Sequence, residues 1–337
     1  MKKALVVIAA LILIYLLGPT PDKPNYTADL PEVPSMAGAL ETYVAHQEQK
    51  HKLKPDNNAE IVWANGEKTK TEYAIVYLHG FSASRVEGYP IHRRFADYFG
   101  CNLYLARLSD HGIDTTDALY NFTPERLWRT TKEAYAIGKQ LGDKVIIMST
   151  STGGTLALLL ASKYPEVAAL INFSPNIEIN DPAAFMLNDP WGLQIAQIVF
   201  GGKTRTVESD SIYEKYWYDT YRLEAIVQLQ ELVETACTEE TFQEITCPVF
   251  NGVYYRDEGH QDPVVRVAAI REMHKELSTP ESQKVFKEFP LANTHVIASD
   301  IKSGAVDDVF NAVKEFGLKQ LDMTIRLQKM RDSETED

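Results

Sequence analysis

The sequence predicts an α/β fold: a mostly parallel, twisted sheet with helices on both faces and a helical segment inserted late in the sheet. From residue 74 onward, short apolar runs of strand type alternate with amphipathic helices, which is the pattern of consecutive βαβ units. The apolar runs show no regular alternation with polar residues, so both faces of each strand should be buried. The 337 residues are enough for one large domain with insertions or for two small domains.

The predicted elements follow one another in a regular order. The strands are expected at Ala74–Leu78, Asn102–Leu108, Val145–Met148, 168–173, Val249–Tyr255 and 284–289. The helices between and after them are expected at 92–99, 124–141, Gly153–Tyr164, 266–277 and 306–321. Thr123 and Pro124 are suitable as the N-cap and first residue of the second of these helices. Before this region, two strands should flank the turn Asn65-Gly66, preceded by a short amphipathic helix within 35–52.

Residues 1–18 should be a membrane-targeting segment and not part of the fold. Lys2 and Lys3 precede an uncharged apolar run from Ala4 to Gly18, which is the order found in a signal sequence. The run is short beside the roughly 17–25 residues of a spanning helix, and no cleavage site follows closely. We expect an uncleaved signal anchor, with a cleaved signal peptide as the alternative. The lysines should keep the N-terminus cytoplasmic and place the remaining chain in the periplasm or the extracellular space.

Changes in composition divide the remaining chain. Residues 19–58 should form an extended, unpacked proline-rich spacer and the short helix. Residues 59–175 and 247–321 carry the alternating pattern of the core. Between them, residues 176–246 are aromatic-rich and look helical, with no strand; they would form a lid over the carboxyl ends of the strands, or merely cover a sheet edge. Residues 322–337 should complete the last helix and form an acidic tail.

The composition argues against several classes of function. A formal charge of −13 is unsuitable for a nucleic-acid-binding protein, which needs a concentrated basic face. Cys101, Cys237 and Cys247 are far apart and show no metal-binding spacing, so a metal site or a disulfide framework is not expected. They are better interpreted as small buried hydrophobic residues.

The segment 145–157, VIIMSTSTGGTLA, predicts a nucleophile elbow, in which a strand turns sharply into a helix and the reactive side chain lies at the turn. The residues two places before and after the nucleophile must be small, because two backbones approach closely there. Ser149 fails this test because Ile147 precedes it, whereas Ser151 has Ser149 before it and Gly153 after it. A residue that only caps the helix would explain the hydroxyl groups but not the two glycines.

A second signal is His79-Gly80-Phe81 at the end of the strand Ala74–Leu78. In the elbow geometry, an oxyanion is bound by the N–H group after the nucleophile and by one from this earlier loop. These groups would be the N–H of Thr152 and the N–H of Phe81. His79 could act as a base, but it is more readily interpreted as a structural brace of the loop.

An acid and a base are expected after the nucleophile, in the chain order Ser, Asp, His. Asp262 begins DPVV, which leads into a helix, and it is the preferred acid. Asp257, nearer the strand end, is the alternative, and either could instead be a solvated loop carboxylate. Of the eight histidines, His295 alone follows the last strand, so it is the expected base unless it is an ordinary loop histidine. His111, in an earlier loop, should line or brace the site.

Several segments together carry a resemblance to a known family: YLHGFSAS, YLARLSDHG, STSTGGTLAL, QDPVV and NTHVIAS. They look like motifs of the α/β-hydrolase superfamily, and more narrowly of its esterase, lysophospholipase and monoacylglycerol-lipase-like branch. The resemblance covers about residues 59–321. This sequence departs from the family motifs in two places. Ser149 stands where the first elbow glycine is usual, and Asp110-His111-Gly112 stands where Gly-His-Gly is frequent.

The resemblance implies a role for each site residue. Ser151 would be the nucleophile, His295 the base, Asp262 the acid, and Phe81 and Thr152 the oxyanion donors. The implied enzyme is a serine hydrolase that cleaves carboxylic esters through an acyl-enzyme intermediate, without metal or cofactor.

The substrate and two alternative functions stay open at this point. An acylglycerol or a lysophospholipid would suit an apolar lid with Phe185, Trp191 and Trp217 as lining residues, although the same aromatic side chains could simply pack on the sheet domain. The alternatives are a small-peptide or amide hydrolase of the same superfamily and a non-catalytic binding protein of this fold. The expected partners are a small ester or lipid and, through residues 1–18, a membrane.

Overall fold

A computed structural model of the chain describes residues 2–326. In chain order the strands are β1 (Glu60–Val62), β2 (Thr71–Leu78), β3 (Asn102–Leu105), β4 (Gly142–Thr150), β5 (Ala169–Phe173), β6 (Thr204–Thr206), β7 (Thr220–Arg222), β8 (Val249–Val253), β9 (Tyr255–Asp257), β10 (His260–Gln261) and β11 (Lys284–Glu288). The α-helices are α1 (Lys2–Leu16), α2 (Ala37–Gln49), α3 (Ile91–Phe99), α4 (Pro124–Leu141), α5 (Thr152–Lys163), α6 (Gly192–Val199), α7 (Ser211–Tyr216), α8 (Leu223–Ala236), α9 (Glu239–Gln243), α10 (Val267–Glu276) and α11 (Val306–Gln320). The predicted acidic tail at 332–337 lies outside the described residues.

Seven strands form one sheet in the order β1-β3-β2-β4-β5-β8-β11. Strand β1 runs antiparallel to β3, and the other neighbours are parallel. The predicted α/β class with a mostly parallel sheet is therefore confirmed. The two strands expected around Asn65-Gly66 are present, but β1 pairs with β3 and not with β2.

Helices cover both faces of the sheet, because alternate side chains of each strand point to opposite sides. In β2, Val76 and Leu78 join a core with α4 and α5, whereas Ile75 and Tyr77 join a second core with α3 and α11. Helix α5 is buried from Thr152 to Ala161. The turn between β4 and α5 therefore lies deep in the molecule.

The segment 176–246, called the inserted segment below, leaves the sheet after β5 and returns at β8. It contains four helices, α6 to α9, and the prediction that it has no strand is wrong. Strands β6 and β7 form an antiparallel hairpin in which Thr204 pairs with Arg222. Strand β6 has the polar sequence Thr-Arg-Thr, and all three residues are exposed, so it lacks the apolar run that marks the strands of the main sheet. Sequence patterning therefore gave no signal for it.

Helix α1 is apolar, and the side chains described along it are exposed to solvent. Leu5, Ile8 and Ile12 are each more than half exposed. Within residues 2–326, no helix combines the length and the apolar character needed to cross a membrane.

The proline-rich segment that follows α1 is extended, but the prediction that it does not pack is wrong. The Tyr26 hydroxyl hydrogen-bonds with Thr235 at 2.7 Å, and the Thr27 carbonyl accepts a hydrogen bond from Trp128 Nε1 at 2.8 Å. The Tyr26 ring also meets Trp128 edge to face. Tyr26 and Thr27 thus hold this segment against α4 and α8.

Candidate active site

The turn between β4 and α5 holds Ser151 in a strained backbone conformation, with φ 53° and ψ −120°. Its N–H donates to the Phe173 carbonyl at 3.0 Å. Its carbonyl accepts hydrogen bonds from the N–H groups of Gly154 at 2.7 Å and Asn176 at 3.0 Å. Strain of this kind persists where the surroundings over-determine the backbone, and it is concentrated at functional sites.

Both glycines after Ser151 are required by close packing. A Cβ on Gly153 would lie 2.1 Å from the Leu78 carbonyl oxygen. A Cβ on Gly154 would lie 2.6 Å from Pro175 Cβ. The first turn of α5 is therefore in direct backbone contact with the end of β2, and only glycine allows this approach.

Ser149, two places before Ser151, begins a chain of buried side-chain hydrogen bonds. Its hydroxyl donates to Asn172 Oδ1 at 2.8 Å, Asn172 Nδ2 donates to Asn251 Oδ1 at 3.0 Å, and Asn251 Nδ2 donates to His274 Nδ1 at 2.9 Å. Burial lowers the pKa of His274 to about 4, which leaves its Nδ1 free to accept. The hydroxyl at the usual glycine position is thus satisfied inside the sheet.

His295 and Asp262 form a buried pair, with His295 Nδ1 2.7 Å from Asp262 Oδ2. The other carboxylate oxygen accepts the N–H groups of Val264 at 2.8 Å and Val265 at 3.1 Å. Burial would raise the pKa of Asp262, but the charge of His295 and these hydrogen bonds bring it below its ordinary value. His295 Nε2 is buried and has no hydrogen-bond partner in the described part of the chain. It is therefore available to another group.

Asp257, the alternative acid, lies elsewhere. It is exposed at the end of β9 and pairs with His260 at 2.7 Å and Arg256 at 3.3 Å. The hairpin of β9 and β10 turns this carboxylate to solvent, and the structure brings His295 to Asp262 instead.

Three consecutive N–H groups in the turn after β2 differ in their partners. The Gly80 N–H donates to Glu87 Oε2 at 2.6 Å, and the Ser82 N–H donates to His111 Nε2 at 3.2 Å. The Phe81 N–H between them has no acceptor within residues 2–326. The two outer donors thus fix the turn and leave the middle donor free.

A second free N–H comes from the first turn of α5. The Thr152 N–H lacks an acceptor among the described residues, as expected at a helix start. A Cβ on Gly80 would lie 2.9 Å from Ser151 Cβ, so the turn after β2 touches the elbow. Two unpaired N–H groups from adjoining turns could bind a developing oxyanion.

His79 and His111 both brace this turn. His79 Nδ1 donates to the Gly80 carbonyl, and its Nε2 accepts the Leu108 N–H at 3.1 Å. His111 Nδ1 donates to the Ser109 carbonyl at 2.8 Å while its Nε2 holds Ser82. Burial lowers the pKa of both imidazoles, that of His111 to about 4. Both are therefore neutral, with one ring nitrogen donating and the other accepting.

A cavity of about 860 Å³ is lined by both Ser151 and His295. Much of its wall is apolar and comes from the inserted segment. This part of the wall includes Met186, Ile195, Phe200, Trp217, Ile226 and Leu229. The Ser151 hydroxyl, the His295 imidazole and an apolar wall therefore share one cavity.

Of the predicted lining residues, Trp217 lines this cavity, whereas Phe185 and Trp191 are not part of its wall. His111, which was expected to line or brace the site, braces the turn after β2. Phe185 is 59% exposed on the outer surface. Trp191 faces the N-terminal segment, where its Nε1 donates to the Ile14 carbonyl at 3.1 Å. His111 lies beneath the turn that it braces. Aromatic composition indicated an apolar wall but not the direction of each side chain.

Sequence reasoning missed Glu87, which also lines the cavity. It is only 2% exposed, and burial raises its pKa to about 7. In the sequence it is an ordinary loop glutamate beside a glycine, without a motif. The buried Asn172 and Asn251 were missed too, although an asparagine inside an apolar strand run is a usable signal.

No group of three or more His, Cys, Asp or Glu side chains in residues 2–326 is placed to hold a metal ion. None of the three cysteines forms a disulfide bond within residues 2–326. Burial raises the pKa of Cys237 and of Cys247 to about 12, so neither is a reactive thiolate.

Part of the chain is similar in sequence to a thermostable monoacylglycerol lipase from Bacillus sp. strain H-257. The two are 24% identical over 189 residues, which are 56% of this chain and 71% of that protein. No protein-family model matches the chain.

Solved structures of lipolytic enzymes share its fold. A structure reported for the metagenome-derived lipolytic enzymes LipS and LipT has a TM-score of 0.62 at 16% identity, over 79% of this chain and 98% of that one. The monoacylglycerol lipase of Paleococcus ferrophilus has a TM-score of 0.57 at 15% identity, over 77% of this chain and 96% of that one. These likenesses confirm the predicted α/β-hydrolase fold. The sequence similarity supports the predicted esterase and monoacylglycerol-lipase-like branch and a serine hydrolase of carboxylesterase or lipase type.

We expect Gly153→Ala to destabilise the protein by about 2 kcal/mol or more, because the new Cβ would collide with the β2 backbone. Urea unfolding of the purified variant measures this. Gly38→Ala in α2 is the matched control, since nothing lies within 4 Å of its Cβ position. Equal midpoints for the two variants would contradict the packing described for the elbow.

Proposed function

We propose that this α/β-hydrolase cleaves carboxylic esters with Ser151, His295 and Asp262 as its catalytic triad. The observation that carries the proposal is the bonding of His295. Its Nδ1 is held by a buried carboxylate, its Nε2 is unpartnered among the described residues, and the residue lines the same cavity as Ser151. A base that serves a serine nucleophile needs an oriented Nδ1 and an available Nε2, and both features support the proposal.

In the proposed first half-reaction, Ser151 Oγ attacks the ester carbonyl while His295 Nε2 takes the hydroxyl proton. The negative charge that develops on the carbonyl oxygen is bound by the N–H groups of Phe81 and Thr152. His295 then returns the proton to the leaving alcohol, and the acyl group stays on Ser151. In the second half-reaction, His295 removes a proton from water, which attacks the acyl-enzyme and releases the acid.

Asp262 has two tasks in this cycle. It fixes the imidazole with Nδ1 protonated, and it stabilises the imidazolium that forms when Ser151 attacks. Burial lowers the pKa of His295, but the charge and hydrogen bond of Asp262 raise it above the ordinary value. The residue is therefore a stronger base than a free histidine.

We propose an acylglycerol or a lysophospholipid as the substrate, with the inserted segment as a lid. The cavity is within the usual range of small-molecule sites, and its apolar wall suits an acyl chain. The similarity to the monoacylglycerol lipase from Bacillus sp. strain H-257 favours the acylglycerol.

Replacing Ser151 by alanine should lower kcat on the order of 10⁴-fold or more, because the nucleophile is lost. The measurement is hydrolysis of p-nitrophenyl esters from acetate to palmitate. The wild type should prefer the longer acyl chains if the apolar cavity binds them. The matched control is Ser149→Gly, which restores the usual elbow residue and should keep activity within about tenfold. Unchanged turnover in Ser151→Ala would end the assignment.

Asp262→Asn should lower kcat by about 10⁴-fold, because the amide favours the wrong imidazole tautomer. Asp257→Asn should leave kcat unchanged, since that carboxylate is exposed and paired with His260. Steady-state kinetics of the two variants side by side make the comparison. A larger loss in Asp257→Asn would transfer the acid role to that residue.

The value of kcat/KM should fall as the pH is lowered through the pKa of His295, because an imidazolium cannot accept the serine proton. Since Asp262 raises this pKa, the acid limb should lie above 6.5, the value for an unperturbed histidine. A pH–rate profile on an uncharged ester measures it. A limb at or below that value would show that Asp262 does not act on the base as described.

We also propose that the N-terminal segment holds the chain at a membrane with the catalytic domain outside the cytoplasm, or that it is cleaved and the domain secreted. The support is the pair Lys2 and Lys3 before an apolar helix whose described side chains have no cover. After cell fractionation, the full chain should be found in the membrane fraction, and a chain starting at residue 19 should be found in the soluble fraction. Equal distribution of the two would contradict anchoring, while a shortened mature N-terminus by mass spectrometry would indicate cleavage.

A further inference from the structure

Glu87 is a buried carboxyl group in the cavity that the proposed reaction does not use. It lies in a single helical turn, Arg85–Gly88, that follows the turn after β2. In the described part of the chain no lysine, arginine or histidine forms an ion pair with it, the nearby Arg85 being paired with Glu60. A buried, unpaired carboxyl group is costly, so its position calls for a specific partner.

That partner is the backbone of the turn beside the nucleophile. Glu87 Oε2 accepts the Gly80 N–H at 2.6 Å. A Cβ on Gly80 would lie 3.0 Å and 3.1 Å from the two carboxyl oxygens and 2.9 Å from Ser151 Cβ. The carboxyl group, the Gly80 Cα and the Ser151 side chain are thus packed together.

The same carboxyl group reaches the inserted segment. Trp217 Nε1 lies 3.5 Å from Glu87 Oε1, at the limit of a hydrogen bond. The next residue, Tyr218, donates its N–H to the Ser82 carbonyl at 2.8 Å. Trp217 therefore contacts the side chain that holds Gly80, and Tyr218 contacts the turn itself at Ser82.

We propose that Glu87 is a positioning residue that aims the Phe81 N–H at the oxyanion. With the Gly80 N–H held by Glu87 and the Ser82 N–H held by His111, the peptide between them has one orientation. The Phe81 N–H lies in the peptide whose carbonyl, that of Gly80, accepts a hydrogen bond from His79 Nδ1. Without the Glu87 acceptor, the preceding peptide loses its partner, and the flexible glycine between the two peptides is held from one side and can shift the Phe81 donor. This inference rests on the proposed function, since it assumes that Phe81 donates to the oxyanion.

Two variants separate the hydrogen bond from the charge. Glu87→Gln keeps an acceptor oxygen at the same distance and removes the charge. Glu87→Asp keeps the charge but draws the acceptor away from Gly80 by one carbon. We expect kcat within about tenfold of wild type for Glu87→Gln and a loss on the order of 10²-fold for Glu87→Asp, the size of effect of one oxyanion donor. KM on p-nitrophenyl acetate should change little in either variant.

A second readout reports on the oxyanion alone. A trifluoromethyl ketone forms a charged tetrahedral adduct with the serine, so its affinity should fall by the same factor as kcat in Glu87→Asp and stay near wild type in Glu87→Gln. Urea midpoints of both variants confirm that the compared proteins are folded. A variant that was only less stable would not show matched losses in kcat and in inhibitor affinity.

The inference is overturned if Glu87→Gln loses as much activity as Glu87→Asp, because an acceptor oxygen kept at the same distance would then not preserve activity, or if neither variant loses activity. The Ser151→Ala variant, assayed in parallel, keeps the two proposals apart. If Ser151→Ala is inactive while Glu87→Asp is fully active, only the role of Glu87 fails. If Ser151→Ala stays active, the proposed function itself fails.

Discussion

The contact between the end of β2 and the start of α5 is the constraint on which the site depends. Gly153 lets the helix backbone reach the Leu78 carbonyl, and the same approach brings Gly80 against Ser151. Because β2 and β4 are parallel neighbours, their carboxyl ends reach the same edge of the sheet. One backbone contact therefore sets the distance between Ser151 and the turn that carries Phe81.

Two buried carboxyl groups, that of Glu87 on the cavity wall and that of Asp262 hydrogen-bonded to His295, lie in different electrostatic environments. Asp262 is 1% exposed, yet two backbone N–H groups and His295 favour its charged form. Glu87 is equally buried but has one backbone N–H and no ion pair among the described residues, so burial raises its pKa to about 7. Asp262 is therefore charged throughout the neutral pH range, whereas Glu87 changes its charge within that range.

Local patterning was sufficient for the sheet and for the sharp turn at Ser151, because strand burial and the small residues around such a turn are visible in short segments. It could not separate Asp262 from Asp257, since that depends on a two-strand hairpin that turns one carboxylate outward. It could not find Glu87, because nothing in a loop sequence reports burial. Trp191 was misplaced for a related reason: its partner is Ile14, far away in the chain.

The hydrogen-bond chain from Ser149 to His274 also has a consequence for the alignment of the sheet. Ser149 lies opposite Asn172, and Asn172 lies opposite Asn251. In strands that are apolar on both faces, a slip of one residue exchanges one hydrophobic neighbour for another at little cost. Here a slip of β5 would put Ile171 or Phe173 opposite Ser149 and leave a hydroxyl and two amides unpaired in the core. The polar chain therefore favours one register of the sheet, and it begins in β4, the strand that leads into the turn at Ser151.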